Sequence, residues 1–215
     1  PLDLLEESTG EAKGGDVKKN AEIIQKTLGH FGIEVELADI LTGPTITQYS
    51  FRPAVGIKLS KITGLSSDLA LALAAHPIRI EAPIPGKSLV GIEVPNKSVA
   101  TVRLRNFLQS ESYKKRESSL ALSLGKNVSG SYIFGNLDKM PHLMIAGSTG
   151  SGKSVCVNSI LISMLYQNSP EDLKLIMVDP KRVELSLYNG IPHLLSDVIV
   201  ENSKVVSALK WAVGE

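Results

Sequence analysis

The stretch HLMIAGSTGSGKSVCVNSILISMLY occupies residues 142–166 and decides how the chain is read. His142 to Ala146 is a short apolar run of the kind expected for a buried strand. Eight glycine-rich residues follow, Gly147 to Ser154, and then an apolar segment reaching Tyr166 with the length of a helix. Leu173 to Val178 (LKLIMV) is a second candidate strand, and Val206, Leu209 and Val213 recur at helical spacing within 203–213. Strand, helix, strand, helix predicts a parallel sheet with crossover connections.

The eight-residue loop is a full match to GxxxxGK[ST]. Gly147, Gly150 and Gly152 let the backbone turn with its N–H groups pointing inward around a polyphosphate. The N-terminus of the helix that follows adds partial positive charge. Lys153 is the mobile cation that reaches the β- and γ-phosphates and is the catalytic candidate, while the Ser154 hydroxyl is the expected Mg²⁺ ligand. Ser148, Thr149 and Ser151 contribute backbone amides, and the nucleotide-binding set runs from Gly147 through Val155. The loop is expected to bind a nucleoside triphosphate.

Before this segment the pattern is different. Val17, Ala21, Ile24, Leu28 and Phe31 follow Asp16, a candidate N-cap, at the spacing of one helical face. Residues 33–59 alternate apolar and polar around Gly43-Pro44, which predicts two strands and a turn. Ser66 or Ser67 is expected to cap a short helix over 68–75 that Pro77 ends, and 78–94 reads as two further strand segments. Asn96 is a candidate cap for a helix bearing Val99, Val102 and Phe107. Residues 110–127, with Lys114, Lys115 and Arg116, read as a solvated charged connector, with a DNA-phosphate contact as the second reading. The domain reading is a linker over 1–15, a small α+β subdomain over 16–115, and a P-loop subdomain over 116–215.

Composition excludes several classes. Of 215 residues, 43% are hydrophobic and 21% charged, an ordinary globular mixture rather than a disordered tail. The longest apolar run, Leu69 to Ala75, is far short of the ~20 residues that cross a bilayer. One cysteine, Cys156, allows no internal disulfide and is read as core, in a cytosolic chain. Net charge is +1, evenly spread, so charge alone does not argue for DNA. His30, His76, His142 and His193 show no metal-ligand spacing. Trp211 and the scattered tyrosines form no stacking platform visible in the sequence.

Several long strings together resemble the motor region of the FtsK/SpoIIIE family of bacterial double-stranded DNA translocases. They are GPTITQYSFRPAVGIKLSKITGLSSDLALAL (43–73), IRIEAPIPGKSLVGIEVPN (78–96), MPHLMIAGSTGSGKSVCVNSILISMLY (140–166), LIMVDPKRVELSLYNGIPHLL (175–195) and ALKWAVGE (208–215). The resemblance implies an α subdomain followed by the opening of a RecA-like P-loop NTPase subdomain, an α/β fold. It implies ATP and Mg²⁺ as cofactors, double-stranded DNA as partner and a homo-hexameric ring. It also implies a cytoplasmic motor anchored in the inner membrane through parts of the protein outside these residues, with no membrane contact from this chain. The biological role implied is chromosome partition at division or sporulation.

The family's apolar strand ending in Asp-Glu and its winged-helix module are not found here, and residue 1 is proline. The expectation is an excised or processed piece that lacks hydrolysis on its own. The segment after Leu195 is looser than the family's usual string. Asp179, at the end of LIMV, matches a family string other than the Mg²⁺-binding acid. Two other readings stay open: a P-loop kinase or GTPase-like enzyme using Asp179 for Mg²⁺, and a non-hydrolysing ring-assembly or nucleotide-binding module.

Overall fold

Asp16 accepts the backbone N–H of Lys19 at 3.0 Å and so caps α1 (Val17–His30). Ala21, Ile24 and Leu28 form its buried face, three of the apolar positions that the helical spacing picks out. The computed structural model describes residues 1–7, 10, 12–140 and 142–214. The chain divides into two compact units, 1–111 with 125–133, and 112–124 with 134–215.

In the first unit, β1 (Val35–Thr42) and β2 (Ile46–Pro53) flank the Gly43-Pro44 turn as expected. They are followed by α2 (Leu59–Thr63), α3 (Ser66–Leu73), β3 (Arg79–Glu81) and β4 (Val90–Pro95). The strands make one antiparallel sheet in the order β1-β2-β4-β3. As the central strand, β2 is buried from Thr47 through Phe51. Tyr49 and Phe51 join Ile24, Leu28, Ile62, Leu69 and Ile92 in the main core. Removing a side chain such as Leu28 from water contributes about 1.5–3 kcal/mol. Gln48, which alternates with them, reaches Glu81 and Glu93 at 3.5 Å, and Arg79 pairs with Glu93 at 3.5 Å.

Two sequence expectations here need correction. The short helix starts at Ser66 and is preceded by Leu65, with no side-chain cap. Asn96 caps no helix. It lies in the sheet corner, accepting from the Thr47 hydroxyl at 2.7 Å and donating to the Gly43 carbonyl at 2.8 Å. An asparagine can satisfy a buried carbonyl as readily as a helix end, and here the buried groups take it. Val99 and Val102 fall outside any helix, and α4 (Leu104–Gln109) buries Phe107 and Leu108. Near the chain start, Glu6 pairs with Arg103 at 2.7 Å and Glu7 with Arg105 at 2.9 Å.

Residues 110–127 are not a bare connector. They hold α5 (Glu111–Lys114) and β5 (Ala121–Lys126), which pairs with β6 (Tyr132–Asn136). In the second unit Tyr113 is buried, and the Arg116 guanidinium lies 4.2 Å from its ring centroid while Nε donates to Gln167 at 2.8 Å. Gln167 closes α6 (Lys153–Gln167), whose Ile160 and Met164 pack with Leu122. The chain ends in α7 (Asn202–Gly214), which has no buried residue.

The expected strand over 142–146 is not formed: among the described residues no segment pairs with it, and Met144 is 88% exposed. A buried-type run becomes a strand only when a neighbour satisfies its backbone. Parallel pairing does occur, between 175–179 and 193–199. Leu175 N–H donates to His193 at 2.8 Å, Leu195 to Leu175 at 3.0 Å, and Ile199 to Met177 at 2.9 Å. The pairing amounts to two isolated bridges, Leu175 with Leu194 and Val178 with Ile199, whose register slips between them. The loose segment after Leu195 is therefore the pairing partner of LIMV. The architecture is a mixed α/β one, with antiparallel sheets and short parallel bridging.

Candidate nucleotide-binding site

The glycine loop lies directly before α6, and its glycines do different jobs. Gly150 (φ +81) and Gly152 (φ +90) take the left-handed region, which side chains with a Cβ rarely adopt. A Cβ on Gly147 would collide with the Ser151 hydroxyl instead. Ser151 N–H donates to the Ser148 carbonyl at 3.1 Å, closing the turn, and Cys156 N–H donates to Gly152 at 2.9 Å, starting the helix. Gly152 offers no side-chain cap to the first turn. The leading N–H groups of a helix have no intrahelical partner, so an anion suits this end. Residues 147–153 are exposed, and Val155 is 69% exposed.

Lys153 and Ser154 both meet one carboxylate that the sequence reading did not single out. Ser154 Oγ donates to Glu184 Oε1 at 2.6 Å, and Lys153 Nζ stands 3.6 Å from the same oxygen. Behind them, Asn158 Nδ2 donates to the Ser154 carbonyl at 2.9 Å, and the Tyr188 hydroxyl donates to Asn158 Oδ1 at 2.5 Å. Burial raises the Tyr188 phenol pKa, so this hydroxyl keeps its proton. The base of α6 is thereby tied to the segment after Asp179.

Asp179 is buried and turned to its own loop. Its carboxylate accepts the backbone N–H groups of Leu185 at 3.0 Å, Glu184 at 2.9 Å and Lys181 at 3.2 Å. These bonds, Leu185 first and Glu184 next, hold its pKa below the usual carboxylate range against the opposing effect of burial. Within this turn Arg182 adopts φ +58, a left-handed conformation uncommon outside glycine. Both Asp179 oxygens are thus spent on main-chain donors, which disfavours the reading in which Asp179 holds Mg²⁺. Among the described residues no group of three or more His, Cys, Asp or Glu comes together to hold a metal ion.

Residues 103–215 match the FtsK/SpoIIIE family, and residues 1–96 match the FtsK alpha domain. The first match alone covers just over half of the chain. The chain belongs to the FtsK/SpoIIIE family. Over 219 residues it is 50% identical to the DNA translocase FtsK of Clostridium acetobutylicum, covering 100% of this chain and 29% of that protein. It is 49% identical over 217 residues to the DNA translocase SpoIIIE of Bacillus subtilis, covering 100% of this chain and 28% of the relative. The chain therefore spans less than a third of the length of these curated relatives. A solved structure of the conjugation coupling protein TcpA of pCW3, a monomer form with ATPgS, aligns over 91% of this chain and 54% of its own. Its identity is 22% and its TM-score 0.41. Among the described residues of this family member no helix is long and apolar enough to cross a membrane.

Proposed function

We propose that this chain is the ATP-binding part of an ATP-driven double-stranded DNA translocase that acts in chromosome partition. The observation that carries the reading is the intact loop Gly147 to Ser154 at the head of α6, within a chain half identical along its whole length to proteins named DNA translocases.

In this reading the triphosphate lies in the turn of Gly147 to Gly152, against backbone N–H groups from Ser148 through Val155. Lys153 carries the cation for the β- and γ-phosphates. Ser154 holds Mg²⁺ through its hydroxyl, and a hydroxyl beside a carboxylate is an oxygen donor set that suits a hard cation. A Mg²⁺ ion held by the Ser154 hydroxyl would supply positive charge to offset the charge that develops on the phosphates during transfer. Lys153 meanwhile orients the terminal phosphate. The working assembly is a homo-hexameric ring around duplex DNA. It acts at the cytoplasmic face of the inner membrane, where the rest of the protein anchors it.

Equilibrium binding of ATPγS tests the first step. The expected result is saturable binding that Lys153→Ala reduces by at least about tenfold, since one charge-assisted contact is worth roughly 1.5–3 kcal/mol. Equal binding by both proteins would remove the nucleotide reading. Turnover without any response to duplex DNA would favour a P-loop enzyme of another kind, and binding without turnover a non-hydrolysing module.

A further inference from the structure

We propose that Glu184 makes nucleotide binding at this loop depend on Mg²⁺, and the proposal rests on the nucleotide reading above. One carboxylate oxygen, Glu184 Oε1, is shared by the two side chains that a Mg²⁺–triphosphate would engage: Ser154 Oγ at 2.6 Å and Lys153 Nζ at 3.6 Å. Without a cation, that oxygen competes with the phosphates for Lys153 and sets a like charge beside them. With a cation on Ser154, the same oxygen lies within one hydroxyl of a doubly charged ion. Mg²⁺ in phosphate sites is held by one or two carboxylates together with phosphates and water. Glu184 supplies such a carboxylate from this chain, directly or through a metal-bound water.

Glu184 is also fixed in place rather than waving from a loop. Its backbone N–H is bound by Asp179, and the following Leu185 N–H is held by the same oxygen. Its neighbour Tyr188 is tied through Asn158 to the Ser154 carbonyl. Glu184 side-chain exposure is 30%, so its charge is only partly screened by water. A carboxylate so anchored senses whether the triphosphate arrives with its ion or without it.

The test uses ATPγS and the full-length protein that carries these residues. The dissociation constant is measured with the ion chelated and again with excess Mg²⁺, and the ratio of the first to the second, the factor by which Mg²⁺ tightens binding, is compared among variants. Glu184→Gln keeps the size and the acceptor for Ser154 but removes the charge. It should lower the ratio by about 10–100-fold, the usual range for losing a partner of a bound metal. Affinity without the ion should hold or tighten. Glu184→Asp keeps the charge and should retain most of the ratio. An unchanged ratio in Glu184→Gln, or equal losses with and without Mg²⁺, would overturn the proposal while leaving the nucleotide reading standing. If wild type and Lys153→Ala both fail to bind ATPγS under either condition, the nucleotide reading itself fails.

Discussion

Asp179 Oδ2 accepts the backbone N–H of Leu185 at 3.0 Å, six residues further along the chain. This bond and its neighbour to Glu184 hold the Asp179 pKa below its ordinary value of about 4. A depressed folded pKa means that the ionised group stabilises the fold. That stabilisation is fully present above the unfolded pKa and is lost as pH falls through the folded one. Chemical denaturation of wild type should therefore show a loss of stability below about pH 4. Asp179→Asn should be less stable than wild type at pH 7, and the two should converge toward pH 2. Parallel curves over that range would show that Asp179 contributes no ionised stabilisation.

The corner of the antiparallel sheet depends on Asn96. Its side chain satisfies both the Thr47 hydroxyl and the Gly43 carbonyl, in a site where Thr47 is 1% exposed. Asn96→Ala should cost about 1–3 kcal/mol for each buried group left without a partner, measured by urea denaturation. The Thr47→Val, Asn96→Ala double variant should recover part of that loss, because the stranded hydroxyl is gone. Purely additive losses would mean that the two side chains do not act together.

Leu28 tests the main core. It is fully buried on α1 with Tyr49, Phe51 and Leu69 in the same cluster. Leu28→Ala should destabilise by about 2–5 kcal/mol in the same denaturation assay. A loss below 1 kcal/mol would mean that α1 packs loosely on the sheet.

The loop glycines separate shape from space. A Cβ on Gly150 meets nothing within 4 Å, so the cost of Gly150→Ala is the left-handed backbone alone, about 1–2 kcal/mol. Because the unliganded loop already holds that conformation, the variant should lower the melting temperature of the unliganded protein by roughly 2–8 °C, and relaxation of the loop away from it should weaken ATPγS binding. Gly147→Ala collides with Ser151 and should be partly relieved by Ser151→Gly. A glycine loop indifferent to both changes would not be shaped for a ligand.

Local patterns were legible where one residue type has one physical meaning. The four-three spacing from Val17 to Leu28 and the Asp16 cap give α1 directly, and Gly43-Pro44 gives the turn between β1 and β2. The glycine loop before α6 was equally plain, because its motif is local in sequence. Asn96 is ambiguous in the sequence because an asparagine suits a helix end and a buried carbonyl alike. His142 to Ala146 has the composition of a strand, but pairing is decided by distant segments that composition does not reveal. Glu184 lies in the string DPKRVEL, where no local pattern marks it as a site residue. Its approach to Ser154 depends on a turn built by Asp179 and a left-handed Arg182, and neither is visible in residue order. The one hint in the sequence is an acid six residues past the end of the candidate strand LKLIMV.

The measurement that tests the central claim most directly is ATP turnover by the full-length protein with and without duplex DNA, in wild type and in Lys153→Ala. The expected result is turnover that rises on adding duplex DNA and disappears in Lys153→Ala under both conditions. Turnover that is the same with and without DNA, or that survives Lys153→Ala, would contradict a DNA translocase powered from the Gly147 to Ser154 loop.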